Sequence, residues 1–244
     1  MKPPAAIALI AYLLLLHVLL GILLSGRGRR FVPALQSRDQ ELKRDYFRSQ
    51  MLTFHRRIDE MAPPGAVLFI GASGIQGVDV DQICDKALNF GIGGDTTEGV
   101  LKRLPTYSSL KSARAVVLSI GFNDLKISSN SQIVASYQKI LGTIPEKVPL
   151  LVCSLIEVNE GIIGPGINER VNRLNPILAN LCEGRDRTKF LDLNKVLLGK
   201  FQGGHGSFLE SDGCHLNSEG RQYWVENVRR LLVADVIRNW EKSD

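Results

Sequence analysis

"AVLFIGASG", Ala66–Gly74, is five apolar residues running without a polar break into Gly-Ala-Ser-Gly. A short continuous apolar run bounded by turn residues is the pattern of a strand buried on both faces. Such strands belong to parallel sheets covered by helices. The chain supplies four more: "ALNFGI" (87–92), "RAVVLSIG" (114–121), "PLLVCSLIEV" (149–158) and "KFLDL" (189–193). Helical patterns lie between them. One is expected to start near Asp95, with Glu98 three residues on as a cap-like pair. Another carries Ile133, Tyr137, Ile140, Leu141 and Ile144, and a third carries Ile167, Val171, Leu174, Leu178 and Leu181. The last runs from Ser218 to about Trp240. This alternation predicts an α/β fold, a three-layer α/β/α sandwich on a parallel five-stranded sheet.

In an open α/β sheet, ligands bind beyond the carboxyl ends of the strands. After the first strand comes "GASG" with Ser73, and after the second "GIGGDTT" with Gly94. After the third comes "GFND" with Asn123 and Asp124, and a longer loop after the fifth ends in "SDGCHLN" with Asp212 and His215. Four segments therefore deliver a hydroxyl, glycine amides, a carboxamide, a carboxylate and an imidazole to one rim.

Those groups make a chemical set. A serine hydroxyl needs an adjacent base to become a nucleophile. His215 can take its proton, and Asp212 can accept from the other ring nitrogen and fix the tautomer. The N–H groups of Ser73 and Gly94 and the Asn123 amide are suitable donors for a developing oxyanion. Bland readings exist for each piece. Ser73 can simply cap a helix, Asn123 and Asp124 can form a turn, and "GIGGDT" lacks the third glycine of a dinucleotide loop. Cys214 is not expected to be a nucleophile, since neighbours in an extended segment point to opposite sides.

The blocks "FIGASG", "NFGIGGDTT", "GFND" and "DGCHLN" resemble, in order and spacing, the four signature blocks of the SGNH hydrolase superfamily, the GDSL esterases and lipases. The resemblance covers roughly Val67 to Trp240. It implies a flavodoxin-like sheet, Ser73 as nucleophile, Asp212 and His215 completing a triad, and Ser73, Gly94 and Asn123 as the oxyanion hole. It implies neither a metal nor an organic cofactor. Phe122, at the variable place of the third block, is expected to line the acyl pocket. The first block of the family usually reads Gly-Asp-Ser, and Ala72 stands here in place of the aspartate.

Other classes find less support. A net charge of +5 spread over 244 residues forms no basic stripe with aromatics, which argues against nucleic acid. The four cysteines form no C-x-x-C pair and read as buried free thiols, with one disulfide as the open alternative. The histidines show no H-E-x-x-H, which argues against a zinc hydrolase.

The amino terminus differs in kind. "AAIALIAYLLLLHVLLGILL" (Ala5–Leu24) carries no formal charge, over about the 20 residues that a bilayer core requires. The apolar core is longer than that of a cleaved signal peptide. The expectation is a single-pass membrane anchor preceding the α/β body. Lys2 on one flank against Arg27, Arg29 and Arg30 on the other is too small a difference to orient it. "SGRGRRFVP" (25–33) reads as a basic linker, and an amphipathic helix is expected from Arg38 to Met61, stopped by Pro63 and Pro64. The expected layout is residues 1–30 as anchor and basic flank, 31–64 as linker and helix, and 65–244 as the hydrolase-like domain. The functional expectation is a serine esterase acting on an acyl ester, of a lipid or an acetylated carbohydrate. Acyl transfer to an envelope polysaccharide or lipid is one alternative. A non-catalytic protein that binds an acylated glycan or lipid is another.

Overall fold

The five apolar segments pair into one parallel sheet. They are β1 (Val67–Gly71), β2 (Ala87–Gly91), β3 (Ala115–Ser119), β4 (Leu150–Cys153) and β5 (Thr188–Leu191), in the order β2-β1-β3-β4-β5. A computed structural model describes the chain at residues 3–24, 28–201 and 203–237; side chains at 3–4, 22–24, 28–37, 205, 235 and 237 also lie outside the described set. The strands with the least interrupted apolar runs, β1, β3 and β4, are central. The edge strands β2 and β5 are the weaker patterns, and part of each is accessible.

Alternate strand residues point to opposite faces, and the core divides accordingly. Leu68, Ile70, Val116, Leu118, Leu150 and Val152 lie in one cluster. Helices α4 (Thr97–Arg103), α5 (Asn130–Thr143) and α7 (Ile167–Glu183) cover it through Val100, Ile133, Tyr137, Ile140, Val171, Leu174 and Leu178. Val67, Phe69, Val117, Leu151 and Cys153 lie in the other cluster. There α3 (Ser73–Gln76), α8 (Leu193–Lys200) and α9 (Ser218–Leu231) contribute Ile75, Leu193, Leu197, Trp224 and Val228. A short α6 (Glu160–Ile163) precedes α7. The expected three-layer α/β/α architecture is therefore present.

Local signals account for the helix starts. Ser129 and Gln132 form a reciprocal capping box on α5, which satisfies two end donors at once. The helix expected near Asp95 instead begins at Thr97, with Thr96 as the cap accepting from the Gly99 N–H at 3.2 Å. Asp95 is drawn into a buried ion pair described below. The last helix is α9, continued as a wider-wound segment over Leu232–Ile237. The expected extension to Trp240 lies outside the described residues.

Gly91, at the end of β2, shows how tightly the site end of the sheet is closed. A Cβ added there would stand 2.2 Å from the Gln76 backbone nitrogen and 2.7 Å from its Cα. Helix α3 can press on β2 only over a glycine. Gly91→Ala is expected to destabilise the fold by about 3 kcal/mol or more. The urea midpoint should fall with an unchanged m-value.

The chain divides into two compact units, Met1–Gln50 and Met51–Asp244. The first unit holds α1 (Pro3–Leu24) and most of α2 (Gly28–Glu60). The expected linker at 25–33 is thus helical from Gly28, and the amphipathic helix expected from Arg38 starts ten residues earlier. The side chains described in α1, residues 5–21, are almost all exposed and apolar. Among the described residues no helix is long and apolar enough to cross a membrane. The expected span Ala5–Leu24 reaches beyond them, since the side chains at 22–24 lie outside the described set.

The end of α2 belongs to the second unit and docks through polar side chains. Asp59 accepts from the N–H and hydroxyl of Ser108, each at 2.7 Å, and from both groups of Ser109. His55 is fully buried. Its Nδ1 lies 3.1 Å from the Tyr107 hydroxyl, and its ring meets Phe90 edge-on. Burial, helped by the nearby Arg103 guanidinium, pushes the His55 imidazole down from 6.5 to about 4. Between those values the unfolded chain binds a proton that the folded chain refuses. Stability is therefore complete above about pH 6.5 and declines as pH falls toward 4, by at most about 3 kcal/mol. Urea midpoints measured from pH 7 to 4 should show this slope, and His55→Phe should flatten it.

Candidate active site

Ser73 stands where the first strand turns into a helix. Strand β1 ends at Gly71, Ala72 caps α3, and Ser73 is the first helical residue. The turn is braced from β2 by Asn89. Its amide donates to the carbonyls of Ile75 and Val78 at 2.8 and 2.9 Å, and its carbonyl accepts from the Gly91 N–H. The helix-cap reading of Ser73 does not hold, because Ala72 occupies the cap position and Ser73 makes no cap hydrogen bond.

His215 sits on one leg of a tight hairpin. Leu209 bridges Leu216, the Glu210 N–H donates to the His215 carbonyl at 2.7 Å, and Gly213 turns the tip at φ +77°. Two outside contacts hold the hairpin. Its carbonyl at Gly213 accepts from the Asn159 N–H at 2.8 Å, and Asn217 caps α9 by accepting from the Gly220 N–H at 2.9 Å.

The structure brings Ser73, His215 and Asp212 into one line. His215 Nε2 lies 2.8 Å from Ser73 Oγ, and His215 Nδ1 lies 2.5 Å from Asp212 Oδ2. The other Asp212 oxygen accepts from the N–H groups of Cys214 and His215, both at 3.0 Å. The Cys214 N–H first, then the His215 ring and N–H, hold the Asp212 carboxyl well below the usual range. These hydrogen bonds and its exposure keep it ionised beside the imidazole.

Cys214 departs from expectation. Its Sγ lies 3.4 Å from His215 Nδ1, on the same side. The segment is not extended here, because Asp212 folds back on the two following N–H groups. Burial, and then Asp212, push the thiol up to about 11, so it stays a neutral group unsuited to attack. Asp212, Cys214 and His215 bring ligand atoms within 4.8 Å of one another. The 2.5 Å Asp212–His215 hydrogen bond is nevertheless closer than two ligands of one zinc ion approach at about 2.0 Å bond lengths. All four cysteines are free, and Cys153 and Cys182 are buried as expected.

The third block divides its labour. Asp124 is buried and accepts from the Thr97 N–H at 3.0 Å and the Thr97 hydroxyl at 2.6 Å, which pins the loop to the start of α4. The Asn123 amide donates to the Asp95 carbonyl at 2.9 Å. Gly94 occupies a turn closed by the Asp95 N–H on the Ile92 carbonyl and adopts φ +76°, a conformation that favours glycine. The neighbouring Gly93 N–H donates to Gln76 Oε1 at 2.6 Å.

A cavity of about 360 Å³ opens at this rim, and Ser73, Asn123 and His215 are all in its wall. Val78, Ile120, Phe122, Leu155, Ile156 and Trp224 supply apolar lining. Phe122 lies in the wall of this cavity, beside Asn123. Gly94 is exposed and is not part of that wall. His205 has its side chain outside the described residues.

Sequence reasoning did not find Arg103 and Asp95. Both side chains are almost fully buried, and the Arg103 Nε donates to Asp95 Oδ2 at 2.9 Å. On the surface of a short helix pattern, an arginine reads as a solvated charge. Nothing in the local sequence marks it as buried.

Solved structures share the fold. The chain overlays a Streptococcus pneumonia protein, a candidate platelet activating factor, with a TM-score of 0.73 at 19% identity, covering 82% of this chain and 99% of that one. A lipase/acylhydrolase from Enterococcus faecalis gives 0.61 at 19% identity, covering 68% and 94%. An acetylxylan esterase from Geobacillus stearothermophilus gives 0.58 at 14%, covering 72% and 98%. At these identities the likeness is one of fold. No curated protein matches the chain. The model of the GDSL-like Lipase/Acylhydrolase family matches residues 74–223, a stretch that contains Gly94, Asn123, Asp212 and His215 and begins directly after Ser73. With more than half of its length matched, this chain belongs to the GDSL-like lipase/acylhydrolase family.

Proposed function

We propose that this protein is a serine esterase that cleaves carboxylic esters through an acyl-enzyme on Ser73. The observation that carries the reading is the Ser73–His215–Asp212 line, with 2.8 and 2.5 Å between its members. His215 Nε2 takes the Ser73 proton as Oγ attacks the ester carbonyl carbon. The oxyanion is stabilised by the N–H of Ser73, the N–H of Gly94 and the Asn123 amide. Collapse expels the alcohol, which leaves with the proton from His215. Water then attacks the acyl-enzyme by the same route and releases the acid. Ionised Asp212 holds the ring and stabilises the imidazolium.

The apolar cavity wall around Phe122 favours a substrate with an alkyl acyl group. The test is covalent labelling by an alkyl fluorophosphonate. Mass mapping should place one adduct on Ser73, and turnover of a chromogenic ester series should be blocked in step. Absence of the adduct from folded protein, or an adduct elsewhere, overturns the reading. Acyl product that depends on an added sugar or lipid acceptor, in excess of free acid, would redirect the proposal to acyl transfer.

The reading includes attachment to a membrane through Ala5–Leu24. Support comes from the described part of α1, residues 5–21, where Ile7, Leu9, Leu13, Leu15 and Leu19 are all exposed. They are spread around the helix without a polar face, and such a helix needs an apolar environment on every side. Full-length protein should float with lipid vesicles. Leu14→Asp should release it, and flotation unchanged by that substitution contradicts the attachment.

A further inference from the structure

Three parts of the proposed site are carried by different elements. Ser73 follows β1, Gly94 follows β2, and Asn123 follows β3. One guanidinium bonds the ends of β1 and β2 and reaches Asn123, after β3, through Asp95. Arg103 Nη2 donates to the Gly71 carbonyl at 3.0 Å, two residues before Ser73. Its Nη1 donates to the Phe90 carbonyl at 2.8 Å, at the end of β2, and to the Tyr107 hydroxyl at 2.7 Å. Its Nε donates to Asp95 Oδ2 at 2.9 Å. The carbonyl of that same Asp95 accepts from the Asn123 amide at 2.9 Å.

We propose that Arg103 is the positioning residue of the oxyanion-binding loop, setting the Gly94–Asp95 segment and the Asn123 amide against the nucleophile turn through its bonds to Gly71, Phe90 and Asp95. This rests on the esterase reading above. The Asp95 carbonyl occupies one Asn123 amide proton and thereby aims the other. The Asp95 N–H bond to the Ile92 carbonyl and the Arg103 bond to its side chain together fix the direction of that carbonyl. The planar guanidinium is required, because a lysine ammonium has no rigid fork with which to reach two carbonyls and a carboxylate together. The burial of the pair is consistent with this role. A buried ion pair is weak evidence for stability in itself, whereas these bonds converge on the two loops at which oxyanion donors are expected.

The test uses the full-length protein, a chromogenic ester, and an alkyl boronic acid as a mimic of the tetrahedral intermediate. Arg103→Lys should lower kcat by about 10- to 100-fold with KM changed little, as expected for donors displaced by a fraction of an ångström. The boronate Ki should rise in parallel. In an Asn123→Ala background the same Arg103→Lys change should lower kcat by a several-fold smaller factor, because one of the two donors it positions is gone. Asp95→Asn is nearly isosteric and keeps the carbonyl that Asn123 uses. It should shift kcat and Ki in the same direction and carries the test where Arg103→Lys fails to fold. Equal losses in both backgrounds, or losses that track only the folded fraction by near-ultraviolet circular dichroism, overturn the proposal. A wild-type protein that neither turns over esters nor takes fluorophosphonate at Ser73 overturns the esterase reading instead, and the positioning role falls with it.

Discussion

Ser73→Ala and His215→Ala should each lower kcat for a short-chain chromogenic ester by about 10⁴-fold or more. The two side chains act as one unit. Without Oγ there is no atom to carry the acyl group, and without the imidazole there is nothing 2.8 Å away to take the Oγ proton. The double variant should therefore be scarcely worse than either single one. Both side chains are only partly buried, so the thermal midpoint should move little and the loss cannot be assigned to unfolding. Asp212→Asn should lose less, because the ring keeps its contact with Ser73 while losing the charge that steadies its protonated form. Progress curves and fluorophosphonate labelling of each variant are the measurements. Full activity in Ser73→Ala would remove the acyl-enzyme from the mechanism.

The sheet was legible because burial on both faces leaves uninterrupted apolar runs in β1, β3 and β4, each closed by a glycine or polar turn. Strands β2 and β5 were weaker in the sequence for the reason that they are edges. The meeting of Ser73 and His215, 142 residues apart, was legible because strand ends in an open sheet converge on one rim. What escaped detection depends on tertiary environment. Asp95 looked like a helix cap, yet it pairs with Arg103 eight residues on, inside the protein. Cys214 looked like a residue facing away from His215, until the Asp212 side chain curled the loop back on itself. Helix α8 is eight residues long, too short to show a period. Nothing in the amphipathic pattern of Arg38–Met61 marks His55 as buried. Its burial follows from the docking of α2 through Asp59 on Ser108 and Ser109, a contact 49 residues long in sequence.

Asn123→Ala should lower kcat by about 10²- to 10³-fold while leaving KM close to wild type. The argument turns on when the amide is used. The ground-state ester carbonyl is a weak acceptor, whereas the tetrahedral oxyanion draws strongly on a donor that is already aimed. Asn123 is aimed before substrate arrives, because one of its protons is held by the Asp95 carbonyl at 2.9 Å and its side chain stands in the cavity wall. The substitution removes that donor and leaves the Asp124–Thr97 bonds that hold the loop in place. The fold should therefore survive it. Boronate affinity should fall with kcat, and acyl-enzyme formation, followed by the burst of chromophore, should slow by the same factor. A variant whose KM rises while kcat stays fixed would show that Asn123 binds the ester before reaction, and would take it out of the oxyanion hole.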